Sequence, residues 1–182
     1  IDTAKPWEER MAKEIAELRE TAQKEVALNE SKGDVFLPGI CFIGGKHRVY
    51  GMKTPEAKAL HKSFPLGIRR AVFIEKQMTP YSRIYADFKA GPEKDLKLFL
   101  SGMFEKNPDD LDAPMCRVLV NGHTVFAGPT LLPECDWGVH TITIPARILN
   151  PDRINRLEIV NLEEGFGTQT PPFIAIVYGV IR

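Results

Sequence analysis

The first apolar pattern in the chain is helical. Between Pro6 and about Glu30, the residues Trp7, Met11, Ile15, Leu18, Ala22 and Val26 recur three or four positions apart, which holds them on one helix face. Thr3 is placed to cap this helix and Gly33 marks its end. On the polar face Glu9 precedes Lys13 and Glu20 precedes Lys24, the favourable order for i,i+4 pairs. A lone amphipathic helix is marginal in water, so the stripe needs a surface. Two surfaces fit: the chain's own sheet, or another domain or chain.

From Asp34 onward the period shortens to two. Short β runs are expected at Val35-Phe36-Leu37, at Ile40-Cys41-Phe42-Ile43 and at His47-Arg48-Val49-Tyr50, with Gly44-Gly45 as a hairpin turn. Thr54-Pro55-Glu56 then opens a short crossover helix ending near Ser63, with a capping residue followed by proline at the first helical position. Further strands are expected over 71–76, 82–90 and 95–104. The clearest β signal follows: Arg117 to Asn121 and His123 to Gly128 meet at Asn121-Gly122, the pair that a type I′ hairpin turn demands. Runs at 139–144 and 155–161 come next. The last strand, 173–181, is apolar on both faces and so needs a cover on each; the facing sheet and the amino-terminal helix are the expected covers. Nine or ten short strands with regular turns predict an all-β sandwich with helical additions. The division is a helical arm over 1–33 and a sandwich domain over 34–182.

Composition narrows the partners. The 182 residues suit one substantial domain, and 24 basic residues balance 24 acidic ones, so no net field draws nucleic acid or an anionic membrane surface. No run of about 18 apolar residues could span a bilayer as a helix. The chain begins at Ile1 and shows no secretory signal, which leaves export open. Cys41, Cys116 and Cys135 lack the spacing of a zinc knuckle or a disulfide framework, and three reduced thiols are expected.

Several chemistries fail on spacing. The glycine pair is no phosphate loop, because Ile40 and His47 stand where glycine and Ser or Thr are needed. The loop Asn107-Pro108-Asp109-Asp110-Leu111-Asp112 carries hard oxygen ligands but lacks the glycine and terminal glutamate of an EF-hand; a solvated turn is expected and a structural calcium ion is not indicated. His47, His61, His123 and His140 define no metal site, and no cofactor is expected. Ser101-Gly102 is no nucleophile elbow, and the adjacent Glu163 and Glu164 would point to opposite faces of a strand. Catalysis therefore has little support, with a glycoside hydrolase or lyase as its remaining form.

The stretch from Val120-Asn121-Gly122 through Gly128, Trp137, Ile144-Pro145, Ile148-Leu149 and Asn155-Arg156-Leu157-Glu158-Ile159 resembles the galactose-binding-domain-like, or jelly-roll, β-sandwiches found as carbohydrate-binding modules and as accessory domains of glycoside hydrolases. It departs from them at Asp152-Arg153-Ile154, where a glycine commonly precedes the Asn, and in its amino-terminal helix. The resemblance implies a two-sheet antiparallel jelly-roll sandwich and a noncatalytic domain that binds glycan or polysaccharide in an extracellular or periplasmic setting. It further implies a catalytic neighbour. A structural domain that forms homo-oligomers through the helix is the alternative. Sugar recognition needs an aromatic face beside planar polar side chains. Two loops offer both: Glu134, Asp136 and Trp137 in the first, and Glu164, Phe166 and Gln169 in the second, with Glu163 and Thr168 beside them. Trp137 could equally plug the end of the sandwich.

Overall fold

The computed structural model describes residues 6–182. The amino-terminal segment forms two helices, α1 (Pro6–Arg10) and α2 (Ala12–Glu25), separated by Met11 with non-helical angles; the Thr3 cap lies outside the described residues. The helix stops five residues short of the expected Glu30. Ala27 takes a left-handed conformation (φ 53°), and Leu28 N–H reaches back to Ala22 O at 3.2 Å. This early turn buries both Val26 and Leu28, which a continuing helix would place on different faces. A 3₁₀ turn at Glu30–Lys32 then ends at Gly33 (φ 96°), the backbone angle for which glycine is suited.

Ten strands follow: β1 (Val35–Pro38), β2 (Lys46–Tyr50), β3 (Arg69–Ile74), β4 (Arg83–Lys89), β5 (Leu96–Glu105), β6 (Met115–Val120), β7 (His123–Pro129), β8 (Gly138–Ile144), β9 (Ile154–Asn161) and β10 (Phe173–Ile181). One sheet runs β2-β3-β10-β5-β8 with β1 also on β10, and the other runs β4-β9-β6-β7. The strand pairs are antiparallel, and the fold is the expected two-sheet sandwich. The Asn121-Gly122 hairpin forms with both residues at positive φ, 50° and 80°. The crossover helix α3 (Pro55–Leu60) is capped by Thr54, whose Oγ1 accepts from Ala57 N at 3.1 Å.

The Gly44-Gly45 hairpin is a correction. β1 pairs with β10 and β2 with β3, so the glycines join no paired strands. The expected strand at 40–43 is a 3₁₀ turn, Gly39–Cys41. Its glycine lies against the β10 backbone, where a Cβ would meet Val177 O at 2.8 Å. Ile43 then exchanges backbone hydrogen bonds with Tyr85 of the opposite sheet, both at 2.9 Å. The glycine pair carries the chain back from there, and a Cβ on Gly45 would strike Val72 and Ile84.

Every residue of β10 is buried. Ile174, Ile176 and Ile181 enter the core between the sheets with Leu98, Leu100, Ile142, Leu157 and Ile159. Phe173, Ala175, Val177, Tyr178 and Val180 face outward into a second cluster, with Ala22, Val26 and Leu28 packed on it. The register shift between Ile176 and Tyr178 lets consecutive residues face outward. The carboxy-terminal part of the helical stripe, Ala22 and Val26 with Leu18 at the margin, thus packs on the chain's own sheet, and the ion pairs Glu25–Arg69 (3.0 Å) and Glu14–Arg70 (2.5 Å) reach residues of β3. No helix among the described residues is long and apolar enough to cross a membrane.

Candidate functional site

Strand register gathers four loops at one end of the sandwich: 75–82, 106–114, 130–137 and 162–172. Backbone bonds tie them together. Gln77 N donates to Glu163 O and Met78 N to Gly165 O (both 2.9 Å), Leu162 N to Met115 O (2.8 Å), Thr130 N to Pro114 O (3.0 Å) and Cys135 N to Phe104 O (2.9 Å). Each loop exposes one large apolar side chain, in order Met78, Leu111, Leu131 and Phe166. Of these four, the sequence pattern drew attention to Phe166 alone, because Met78, Leu111 and Leu131 are not aromatic and offer no flat face for stacking.

The second expected loop is presented and pinned at once. Phe166 is 76% exposed, with glycines at positive φ on both sides, Gly165 (125°) and Gly167 (92°). Glu164 and Gln169 are exposed nearby. Beneath them lies a buried polar layer that period-two reasoning hid, since its members end ordinary strands. Glu75 Oε1 accepts from Gln169 N (3.0 Å) and from Arg48 Nη2 (3.1 Å). Lys76 Nζ donates to Thr170 O (2.5 Å), Thr170 Oγ1 (2.9 Å) and Pro171 O (3.3 Å). Asn161 Nδ2 donates to Ile74 O and Pro172 O, and its Oδ1 accepts from Glu163 N (2.9 Å). Burial raises the Glu163 carboxyl above its ordinary range; nearby Asp110 adds to this, and hydrogen bonding at Met115 opposes it.

The first expected loop divides. Glu134 and Asp136 are exposed, and Asp136 Oδ1 accepts from Trp137 N (2.9 Å) and lies 3.5 Å from Lys58 Nζ. Trp137 is half-buried on the outer face of the β2–β8 sheet, where its Nε1 donates to Gly67 O (3.0 Å). Arg69 lies over its ring (5.5 Å to the centroid) and Tyr50 meets it edge-on (6.4 Å). The plug reading of Trp137 fits these contacts, although the surface it fills is the outer face of a sheet. The two loops are linked across that face by a relay of side chains that ends on a backbone N–H: Trp137 to Tyr50, Tyr50 to Phe73 (5.2 Å), Phe73 to Arg48 (4.4 Å), Arg48 to Glu75, and Glu75 to Gln169 N.

The aspartate loop closes on itself: Asp110 Oδ2 accepts from Asn107 N (3.1 Å), and Lys106 Nζ donates to Asp110 O. Among the described residues no group of three or more His, Cys, Asp or Glu side chains could hold a metal ion. None of the three cysteines is in a disulfide. Burial pushes the thiols of Cys116 and Cys135 up to about 11, which keeps them protonated and poorly nucleophilic at neutral pH.

These features define a two-sheet antiparallel jelly-roll β-sandwich. No protein-family model matches the chain, and no curated protein matches it. Among solved structures it is similar to the family 35 carbohydrate-binding module from Clostridium thermocellum, with TM-score 0.50 and 10% identity, covering 81% of this chain and 97% of that one. It is also similar to a family GH115 4-O-methyl-α-glucuronidase with specificity for decorated arabinogalactans, with TM-score 0.50 and 12% identity, covering 81% of this chain and 17% of the enzyme. Identities this low speak for the fold alone.

Proposed function

We propose that this domain is a noncatalytic carbohydrate-binding or accessory module. Its ligand is a glycan or polysaccharide bound at the loop end, with Phe166 as the stacking face and Glu164 and Gln169 as hydroxyl partners. The observation that carries the reading is the exposure of Phe166 on a loop held at both ends. A side chain that would gain by burial is presented to solvent on a fixed support, as a pyranose C–H face requires. The exposed carboxylates of Glu134 and Asp136 extend the polar margin along the neighbouring loop. The setting is extracellular or periplasmic, where polysaccharides are met, and a catalytic neighbour would be the natural companion of such a module.

Affinity electrophoresis and calorimetric titration with arabinogalactan, xylan and polygalacturonate test this directly. The wild-type chain is expected to bind at least one of them, and Phe166→Ala to abolish that binding while shifting stability by no more than about 0.5 kcal/mol, as surface substitutions do. Binding that survives Phe166→Ala, or no binding to any of the three, defeats the reading.

A further inference from the structure

We propose that the buried Arg48–Glu75 pair is a positioning device that holds the Phe166 loop in a single geometry. The inference rests on the glycan reading only for its use, since the geometry it asserts is a property of the free chain.

Glu75 follows the last residue of β3, faces outward from its sheet, and is 0% exposed. One oxygen, Oε1, serves both Arg48 Nη2 (3.1 Å) and the backbone N–H of Gln169 (3.0 Å). The other oxygen, Oε2, and the Nε of Arg48 are buried with no hydrogen-bond partner. A carboxylate buried with one oxygen unbonded is a poor source of stability. A well-packed apolar pair of similar volume would hold the same sheet edge as well or better. Stability alone therefore gives no reason for ions here, whereas direction does: an apolar pair could not hold the Gln169 N–H.

That N–H is where the loop needs holding. Gln169 is a non-glycine residue at φ 67°, a conformation disfavoured for L side chains and stable only when its surroundings impose it. Lys76, the neighbour of Glu75, grips the next residue through Thr170 O and Oγ1. Consecutive residues of opposite charge thus hold consecutive residues of the loop. The loop's other half is held by Gln77 and Met78 through Glu163 O and Gly165 O. Phe166 lies between these grips, beside two glycines that would otherwise leave it free to reorient.

The test is the double variant R48M/E75M, read by amide hydrogen exchange over residues 163–170 of the free chain and by its thermal midpoint. Exchange in that loop is expected to accelerate at least tenfold while the midpoint stays within a few degrees of wild type or rises. Unchanged loop exchange overturns the proposal, and so does acceleration that spreads evenly over the sandwich with a fallen midpoint, which marks a merely structural role. Should the double variant fail to fold, E75Q is read the same way. It keeps an acceptor for Gln169 but removes the charge that fixes Arg48, and local acceleration is again expected. Titration with arabinogalactan, xylan and polygalacturonate is scored separately. A wild type that binds none defeats the glycan reading and leaves the exchange result to decide the positioning role. Where the wild type binds, the double variant is expected to lose at least tenfold in affinity, and undiminished affinity overturns the proposal.

Discussion

Tyr50 Oη donates to Glu105 Oε2 at 2.8 Å, joining the end of β2 to the end of β5 across two intervening strands. Its ring meets Phe64, Phe73, Trp137 and Phe173 at centroid distances of 5.1, 5.2, 6.4 and 6.1 Å. One tyrosine thus joins the crossover excursion, the outer face of the sheet and the start of β8. Burial, and then the bond to Glu105, push the phenol well above its ordinary pKa, so it remains a donor across the accessible pH range.

Trp137→Ala should therefore behave as a packing variant. It removes the indole from Tyr50 and Arg69 and leaves Gly67 O without its donor. The expected loss is about 2–4 kcal/mol, near the lower end of the range for truncating a large aromatic because the ring is only half-buried. Urea unfolding measures it. A loss below about 0.5 kcal/mol would mean that the ring is dispensable to the fold and available to a ligand.

The Asn-x-Leu-x-Ile motif makes a second prediction. Asn155 is 1% exposed, and its Oδ1 accepts from Asn150 N and Asn121 Nδ2 (both 2.7 Å), while its Nδ2 donates to Arg153 O (2.9 Å) and Asn150 O (3.1 Å). Asn121 in turn donates to Ile148 O and accepts from Arg156 N (both 2.9 Å). The hairpin turn and the start of β9 are therefore one network. Asn155→Ala leaves several of these groups unpaired and should cost roughly 2–4 kcal/mol. Asn155→Asp should also destabilise, because a carboxylate cannot donate to the two carbonyls. Equilibrium unfolding of the two variants checks both, and a neutral Asn155→Ala would show that the network is redundant.

The fold was legible where one local signal decided the outcome. Asn121-Gly122 imposes its own backbone, Thr54-Pro55 starts its own helix, and the two-faced apolarity of β10 demands two covers. It was illegible where long-range pairing decided. Gly44-Gly45 has the composition of a hairpin turn, but its flanking strands pair elsewhere, because β10 offers β1 a longer buried partner and β3 takes β2. The site divided on the same principle. Loop membership of Trp137 and Phe166 was readable from turn residues, whereas their opposite environments depend on Tyr50, Arg69 and Gly67, all distant in sequence. Glu75 and Lys76 looked like the polar end of a strand, and only tertiary structure shows them beneath the loop.

Stability should depend on pH through two histidines. His140 is buried beside Ile142 and Ile144 and packs edge-on to Phe126 (4.7 Å), and burial lowers its pKa below the ordinary 6.5. His47 is lowered by burial and by the positive charge of Arg70, with its hydrogen bond to Phe42 O opposing. That bond (2.9 Å) uses Nε2 and leaves Nδ1 buried with no partner, so a second proton would have no acceptor. For both residues the unfolded chain binds protons that the folded chain refuses once pH falls below about 6.5, so acid favours unfolding. The urea midpoint should hold above pH 7 and decline from pH 6.5 toward pH 5. The decline ends once the pH is below the lowered folded pKa, where both states are protonated. His140→Leu removes one of the two titrations and should flatten this decline while leaving most of the pH 7.5 stability. A variant whose midpoint falls with pH as steeply as wild type would show that the loss arises elsewhere, since every other titrating group is common to both proteins.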